Sequence, residues 1–254
     1  MKRIELCDLT IGYGRRILLD CVSAAIDAGL LVALLGRNGT GKSTLLRAVA
    51  GLEKPLAGEI RLCGRPLREL PPQELAQIVS FVTTEKIRIA NLTCREAVAL
   101  GRAPYTDWLG RLDDADCRAV EHALAVVGMA AFAEKAMDRL SDGEAQRVMI
   151  ARALAQDTPL ILLDEPTAFL DMPNRYEVCT LLRRLAHDGG KCILFSTHEL
   201  DIALALCDAV ALIDSPQLHL LPVGEMVRSG LIERLFDSET VAFDAGTCKV
   251  TMRR

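Results

Sequence analysis

The chain has 254 residues, half of them hydrophobic, which suits one large α/β domain with a sizeable core or two small ones. Its net charge is −4, and its Lys and Arg residues are scattered or in pairs such as Arg15-Arg16 and Arg183-Arg184, which read as solvated faces. A nucleic-acid surface is therefore excluded. Nine cysteines stand singly, without C-x-x-C or metal-ligand spacing, which points to a reducing compartment. The N-terminus, MKRIELCDLT, lacks the apolar core of a secretory signal. The longest apolar stretch, 200–213, is too short for a bilayer and carries Asp201 and Asp208, so the chain is expected to be cytoplasmic.

In chain order, Ile4 to Thr10 alternates and Ile17 to Ile26 is strand-like, with a glycine turn at Gly12-Tyr13-Gly14 between them. Leu30 to Leu35 is a continuous apolar run, read as a strand buried on both faces. Gly36-Arg37-Asn38-Gly39-Thr40-Gly41-Lys42-Ser43 follows, then Thr44 and a helical pattern through Leu45, Leu46 and Val49. This is G-x-x-x-x-G-K-[ST] between a strand and a helix, the setting of a phosphate-binding loop. Glycines let backbone N–H groups turn around an anion, and the helix N-terminus adds partial positive charge. Lys42 would reach the β- and γ-phosphates and Ser43 would ligate Mg²⁺. The loop is read as binding a nucleoside triphosphate.

Beyond it, Glu59 to Leu62 and Ile78 to Thr83 read as strands, with a short helix starting at Pro71-Pro72. From Thr93 to Ala155 the pattern is helical, opened by the capping box Thr93-Cys94-Arg95-Glu96. Leu160 to Leu163 is a buried strand ending in Asp164-Glu165, placed to hold Mg²⁺ with Asp164 and to activate water with Glu165 as general base. A helix Pro173 to His187, the strand Cys192 to Phe195 with Ser196-Thr197-His198 after it, a helix Glu199 to Leu206 and the strand Ala209 to Ile213 follow. A hairpin around Ser215-Pro216-Gln217 and a short helix Leu231 to Phe236 occupy the tail, 214–254.

Several of these segments together resemble one family. Leu140-Ser141-Asp142-Gly143-Glu144, with Gln146-Arg147, resembles the signature motif of ATP-binding-cassette (ABC) ATPases. Glu165 to Asp171 is similar to that family's Walker B end and D-loop, Thr197-His198 to its switch histidine, and Tyr13 to the aromatic that stacks on adenine. The resemblance spans Ile4 to Met226 and implies a single ABC ATPase domain over 1–254. Its fold would be α/β: a RecA-like P-loop NTPase core, an N-terminal antiparallel β-subdomain, and an α-helical subdomain inserted over roughly 85–156. It further implies a head-to-tail dimer in which each ATP lies between one P-loop and the other copy's signature. Ser141, Gly143 and Glu144 would then contact nucleotide in trans, Asp171 would cross the interface, and His198 would touch the γ-phosphate in cis. The partner implied is a membrane permease, holding the cassette on the inner face of the cell membrane.

Arg95 to Tyr105 holds V-x-x-G-R-x-P, which resembles importers of iron-siderophore, haem and cobalamin complexes, systems that also use a periplasmic binding protein; a helix stopped by Gly101 and Pro104 explains the same residues. Two departures stand out. Asp142 replaces the usual signature glycine, and is expected to turn away and cap its helix. The glutamine that normally follows the strand after Pro72 is missing, and the chain reads Val82-Thr83-Thr84-Glu85. Thr84 is expected to face the metal and Glu85 the permease. A soluble non-transport cassette and a weakly hydrolysing regulatory switch are the alternatives.

Overall fold

The structure, a computed structural model, describes residues 1–83, 91–237, 240–244, 246 and 249–252. It opens with a hairpin of two long strands, β1 (Lys2–Tyr13) and β2 (Arg16–Asp27), turned by Gly14. After β3 (Leu31–Gly36) and α1 (Lys42–Val49), β4 (Ala57–Leu62) returns to pair with β1, and the two-residue β5 (Arg65–Pro66) closes an antiparallel sheet in the order β2-β1-β4-β5.

A second sheet collects the buried apolar runs. With α2 (Pro72–Ile78), β6 (Val79–Val82), β7 (Leu160–Leu163), β8 (Cys192–Ser196), β9 (Ala209–Asp214) and β10 (Gln217–Pro222), its order is β10-β9-β3-β8-β7-β6. All its pairs are parallel except β10 with β9. Alternation along each strand divides two cores, as period-2 side-chain geometry requires. Val32, Leu34, Leu160, Leu162 and Leu194 pack toward α1 and the antiparallel sheet. Leu31, Ala33, Leu35, Ile161, Leu163 and Phe195 pack toward the helices on the other side. Every residue of β3, β7 and β8 is buried, which is why these runs show no polar alternation.

Between β6 and β7 the described chain is helical: α3 (Cys94–Ala99), α4 (Asp114–Val126) and α5 (Asp142–Ala155). Each starts with a reciprocal capping box, Thr93 with Glu96, Asp113 with Asp116, and Ser141 with Glu144. The cap of α5 is therefore Ser141, and Asp142 is its first helical residue, contrary to the expectation that Asp142 caps. The reason is local: Ser141 has an acidic residue three positions on to return its hydrogen bond. The Gly101-Arg102 pair is built into this subdomain. A Cβ on Gly101 would sit 2.2 Å from the Arg152 carbonyl oxygen of α5. Arg102 lies over the Tyr105 ring at 3.9 Å, donates to Asp116 Oδ1 at 2.8 Å and to the Ala155 carbonyl at 2.7 Å. Burial works to raise the pKa of Asp116, but the hydrogen bonds from Arg102 and Asp113 outweigh it and hold the carboxyl low.

The remaining elements are α6 (Met172–His187), α7 (Leu200–Leu206), α8 (Val223–Arg228), α9 (Leu231–Phe236) and a hairpin of β11 (Val241–Asp244) with β12 (Lys249–Met252). Among the described residues, no helix is long and apolar enough to cross a membrane.

Candidate active site

The carboxyl ends of β3, β8 and β7 lie side by side, and each delivers one part of the site. Gly41, at φ +107°, caps α1, a conformation a side chain would strain. Lys42 folds back and is buried, its Nζ donating to the carbonyls of Gly36 at 2.9 Å and Arg37 at 3.5 Å. Thr40 Oγ1 donates to the Arg37 carbonyl at 2.8 Å and stiffens the same turn. Burial pulls the Lys42 pKa down, and the nearby Glu165 and Asp164 carboxylates partly restore it.

Ser43 Oγ donates to Asp164 Oδ1 at 3.0 Å across 121 residues of sequence. These are hard oxygen donors converging at the mouth of a phosphate loop, and they fit a divalent cation of the Mg²⁺ type. Ser196, at the end of β8, donates to the same Asp164 oxygen at 2.6 Å and accepts the Glu165 backbone N–H at 2.9 Å. That bond secures Glu165 at φ +49°, a left-handed conformation uncommon for a residue with a side chain. His198 Nε2 stands 2.5 Å from Glu165 Oε1.

These groups border a cleft of about 390 Å³ lined by Tyr13, Arg16, Lys42, Ser43, Glu165 and His198, with Asn38, Gly39, Gly41 and Thr44 completing its floor. Tyr13 is 53% exposed at the cleft while its hydroxyl meets Thr44 Oγ1 at 3.0 Å, which leaves an aromatic side chain accessible to a base. Two members were not apparent from the sequence. Ser196 is a hydroxyl at the end of an otherwise apolar strand, directly before Thr197-His198, and that position was its signal. Arg16 was read as part of a solvated pair, yet its Nη2 donates to the Gly39 carbonyl at 3.2 Å, because the β1–β2 turn lies over the phosphate loop. Thr84 and Glu85 lie outside the described residues.

A family profile described as ABC transporter matches residues 19–168. The chain belongs to the ABC transporter family. It is an ATP-binding, ATP-hydrolysing subunit of that family. It is 37% identical over 203 residues to the iron(3+)-hydroxamate import ATP-binding protein FhuC of Bacillus subtilis, covering 80% of this chain and 76% of that one. It is 39% identical over 216 residues to the cobalamin import ATP-binding protein BtuD of Halobacterium salinarum, covering 85% of this chain and 54% of that one. Among solved structures, a metal-chelate type ABC transporter in an inward-facing conformation superposes with a TM-score of 0.83 at 26% identity, covering 93% of this chain and 89% of that one. The dimeric ATP-binding cassette MJ0796, in a post-hydrolysis state with ADP and Pi, gives 0.74 at 28% identity, covering 87% and 98%.

Ser141, Gly143 and Glu144, expected from the sequence to contact nucleotide in trans, are not among the residues lining the cleft. Ser141 Oγ accepts the Glu144 N–H at 3.3 Å, and the Glu144 carboxylate accepts the Ser141 N–H at 2.8 Å with Lys135 Nζ at 3.3 Å. The Ser141 backbone N–H, aided by Lys135 and the Ser141 hydroxyl, holds the Glu144 pKa low against the opposing effect of burial. Gly143 is buried against Asn174. Asp171 caps α6, its Oδ1 accepting from Asn174 N at 3.2 Å and Asn174 Nδ2 at 2.6 Å.

Proposed function

We infer that this cassette hydrolyses Mg²⁺-ATP between two head-to-tail copies and so drives a membrane permease that imports an iron-siderophore, haem or cobalamin-type complex. The observation that carries the chemistry is the convergence of Lys42, Ser43, Asp164, Glu165 and His198 on one cleft, while Ser141 and Gly143 lie outside it. A half-site of this kind needs a second copy to close it, and the dimeric cassette among the related structures supports that arrangement. The cargo class is supported by the relatives, whose names are those of iron(3+)-hydroxamate, petrobactin and cobalamin import proteins.

In this reading Tyr13 stacks on adenine, while the loop from Gly36 to Thr44 and Lys42 neutralise the β- and γ-phosphates. Ser43, Asp164 and Thr84 would hold the Mg²⁺, which supplies positive charge against the phosphate oxygens. Glu165 takes a proton from water as the water oxygen bonds to the γ-phosphorus. The bond from that phosphorus to the bridging oxygen breaks, and ADP carries the electron pair away. His198 exchanges its contact with Glu165 for the γ-phosphate. Ser141, Gly143 and Glu144 of the second copy close the site, and Asp171 reaches across.

The permease would seat an α-helix in a groove of about 880 Å³ walled by Leu52, Leu67, Leu75, Val79, Phe81 and Gln156. Support comes from its apolar lining and its position beside β6, the edge strand of the parallel sheet, whose Val79 and Phe81 form one wall. The cassette would thus sit on the cytoplasmic face through its permease, with a periplasmic binding protein on the far side.

The deciding experiment reconstitutes the cassette with its permease. Glu165→Gln should lower ATP hydrolysis by about 10²–10⁴-fold while the variant still binds ATP and dimerises. Near-normal turnover would remove Glu165 as the base. Uptake of a ferric siderophore, haem or cobalamin should require both the permease and the wild-type cassette; transport of none of the three would overturn the cargo assignment.

A further inference from the structure

The first two turns of α6 touch several parts of the site at once. Asn174 binds Asp171 and packs against Gly143 of the signature. Tyr176 donates its hydroxyl to Asp201 Oδ2 at 3.2 Å, and Glu177 pairs with Arg147 of α5. Arg175 alone among these holds two functional loops together: its Nε donates to the Leu170 carbonyl at 2.6 Å, and its Nη1 meets Glu199 Oε1 at 2.7 Å.

Both ends of that link sit next to functional residues. Leu170 directly precedes Asp171, and Phe169 before it holds φ +67° with 74% of its surface exposed, so the loop projects in a strained form. Glu199 directly follows His198. Its carboxylate is only 18% exposed, and its Oε2 is buried without a hydrogen bond of good geometry. Burial raises its pKa, against the opposing pull of the Thr167 hydroxyl and the Arg175 guanidinium. An ion so placed is costly unless its partner stays.

We propose that Arg175 and Glu199 are positioning residues that tie the His198 segment to the loop carrying Asp171, so that nucleotide engagement by His198 sets where Asp171 stands. This rests on the reading of His198 and Asp171 given above. When His198 leaves Glu165, Glu199 moves with the adjoining backbone. The planar guanidinium has its donors in a fixed fork, so it transmits that displacement to the Leu170 carbonyl. One copy's nucleotide state thereby adjusts the residue that reaches its neighbour's site.

The test compares wild type with Arg175→Lys, Glu199→Gln and the double variant, all as full-length cassette. Lysine keeps the charge and the fold but cannot serve both acceptors with one rigid fork. Each single variant should lower kcat about tenfold, with the ATP KM and the melting temperature nearly unchanged, and the double variant should lose no more than either single one. In a Glu165→Gln background, ATP should slow amide exchange in peptide 168–174 when Arg175 and Glu199 are intact and fail to do so in the variants. Additive losses, an unchanged kcat, or exchange that still responds to ATP in the variants would overturn the link. A wild-type cassette that binds no ATP would instead overturn the function on which the link depends.

Discussion

Ser196→Ala is the sharpest test of how the site is held. The serine is wholly buried, and the substitution deletes one oxygen while leaving the backbone and volume almost intact. Two bonds go: the 2.6 Å donation to Asp164 and the 2.9 Å acceptance of the Glu165 N–H. A hydrogen bond to a charged group contributes about 1.5–3 kcal/mol, and a buried donor left without a partner costs about 1–3 kcal/mol. Glu165 is half-buried, so the lower end applies to the second bond. The sum is about 2–4 kcal/mol, which for a chain of this size lowers Tm by about 5–15 °C. Freed from that bond, Glu165 can relax from its φ of +49°, and the carboxylate proposed as general base then loses its aim. Steady-state ATPase assays should give a kcat reduced at least about tenfold with KM changed less than about threefold. Scanning calorimetry that moves by under about 1 °C, together with an unchanged kcat, would refute the claim that Ser196 braces the two carboxylate residues.

Tyr13→Ala should weaken ATP binding by about 1–3 kcal/mol by loss of stacking, while Tyr13→Phe, which gives up only the bond to Thr44, should be nearly silent in titration calorimetry; equal affinities for Ala and wild type would exclude stacking. Gly101→Ala forces a methyl onto the Arg152 carbonyl and should destabilise by about 1–3 kcal/mol or more in urea unfolding. Thr84→Val should reduce ATPase activity without loss of nucleotide affinity, whereas Glu85→Gln should matter only when the permease is present; the reverse pattern would exchange their roles. Thiol labelling read by mass spectrometry should find Cys21 and Cys117 reactive in the folded protein. Cys179 and Cys192, whose thiols burial pushes up to about 12, should react only on unfolding.

The phosphate loop, the capping box at Thr93 and the buried strands were legible because each depends on residues near one another in sequence. Gly41 and Lys42 act within one turn, and Leu160 to Leu163 announces a two-sided burial by its unbroken apolar run. Even the second capping partner of Ser141 stands only three residues away. The bracing of the site is of another kind. Ser196 reaches Asp164 only because β8 inserts between β3 and β7, bringing together groups 32 residues apart. Arg16 looked like a solvated charge until the β1–β2 turn placed it on the Gly39 carbonyl. Arg175 and Glu199 are ordinary charged residues of two separate helical segments, and nothing in either segment hints that they meet. Sequence by itself determined the chemistry this protein can perform, since that is written in contiguous motifs. Tertiary structure alone decided how the reactive groups are braced and joined, because strand order and helix packing set which distant side chains fall within hydrogen-bond reach.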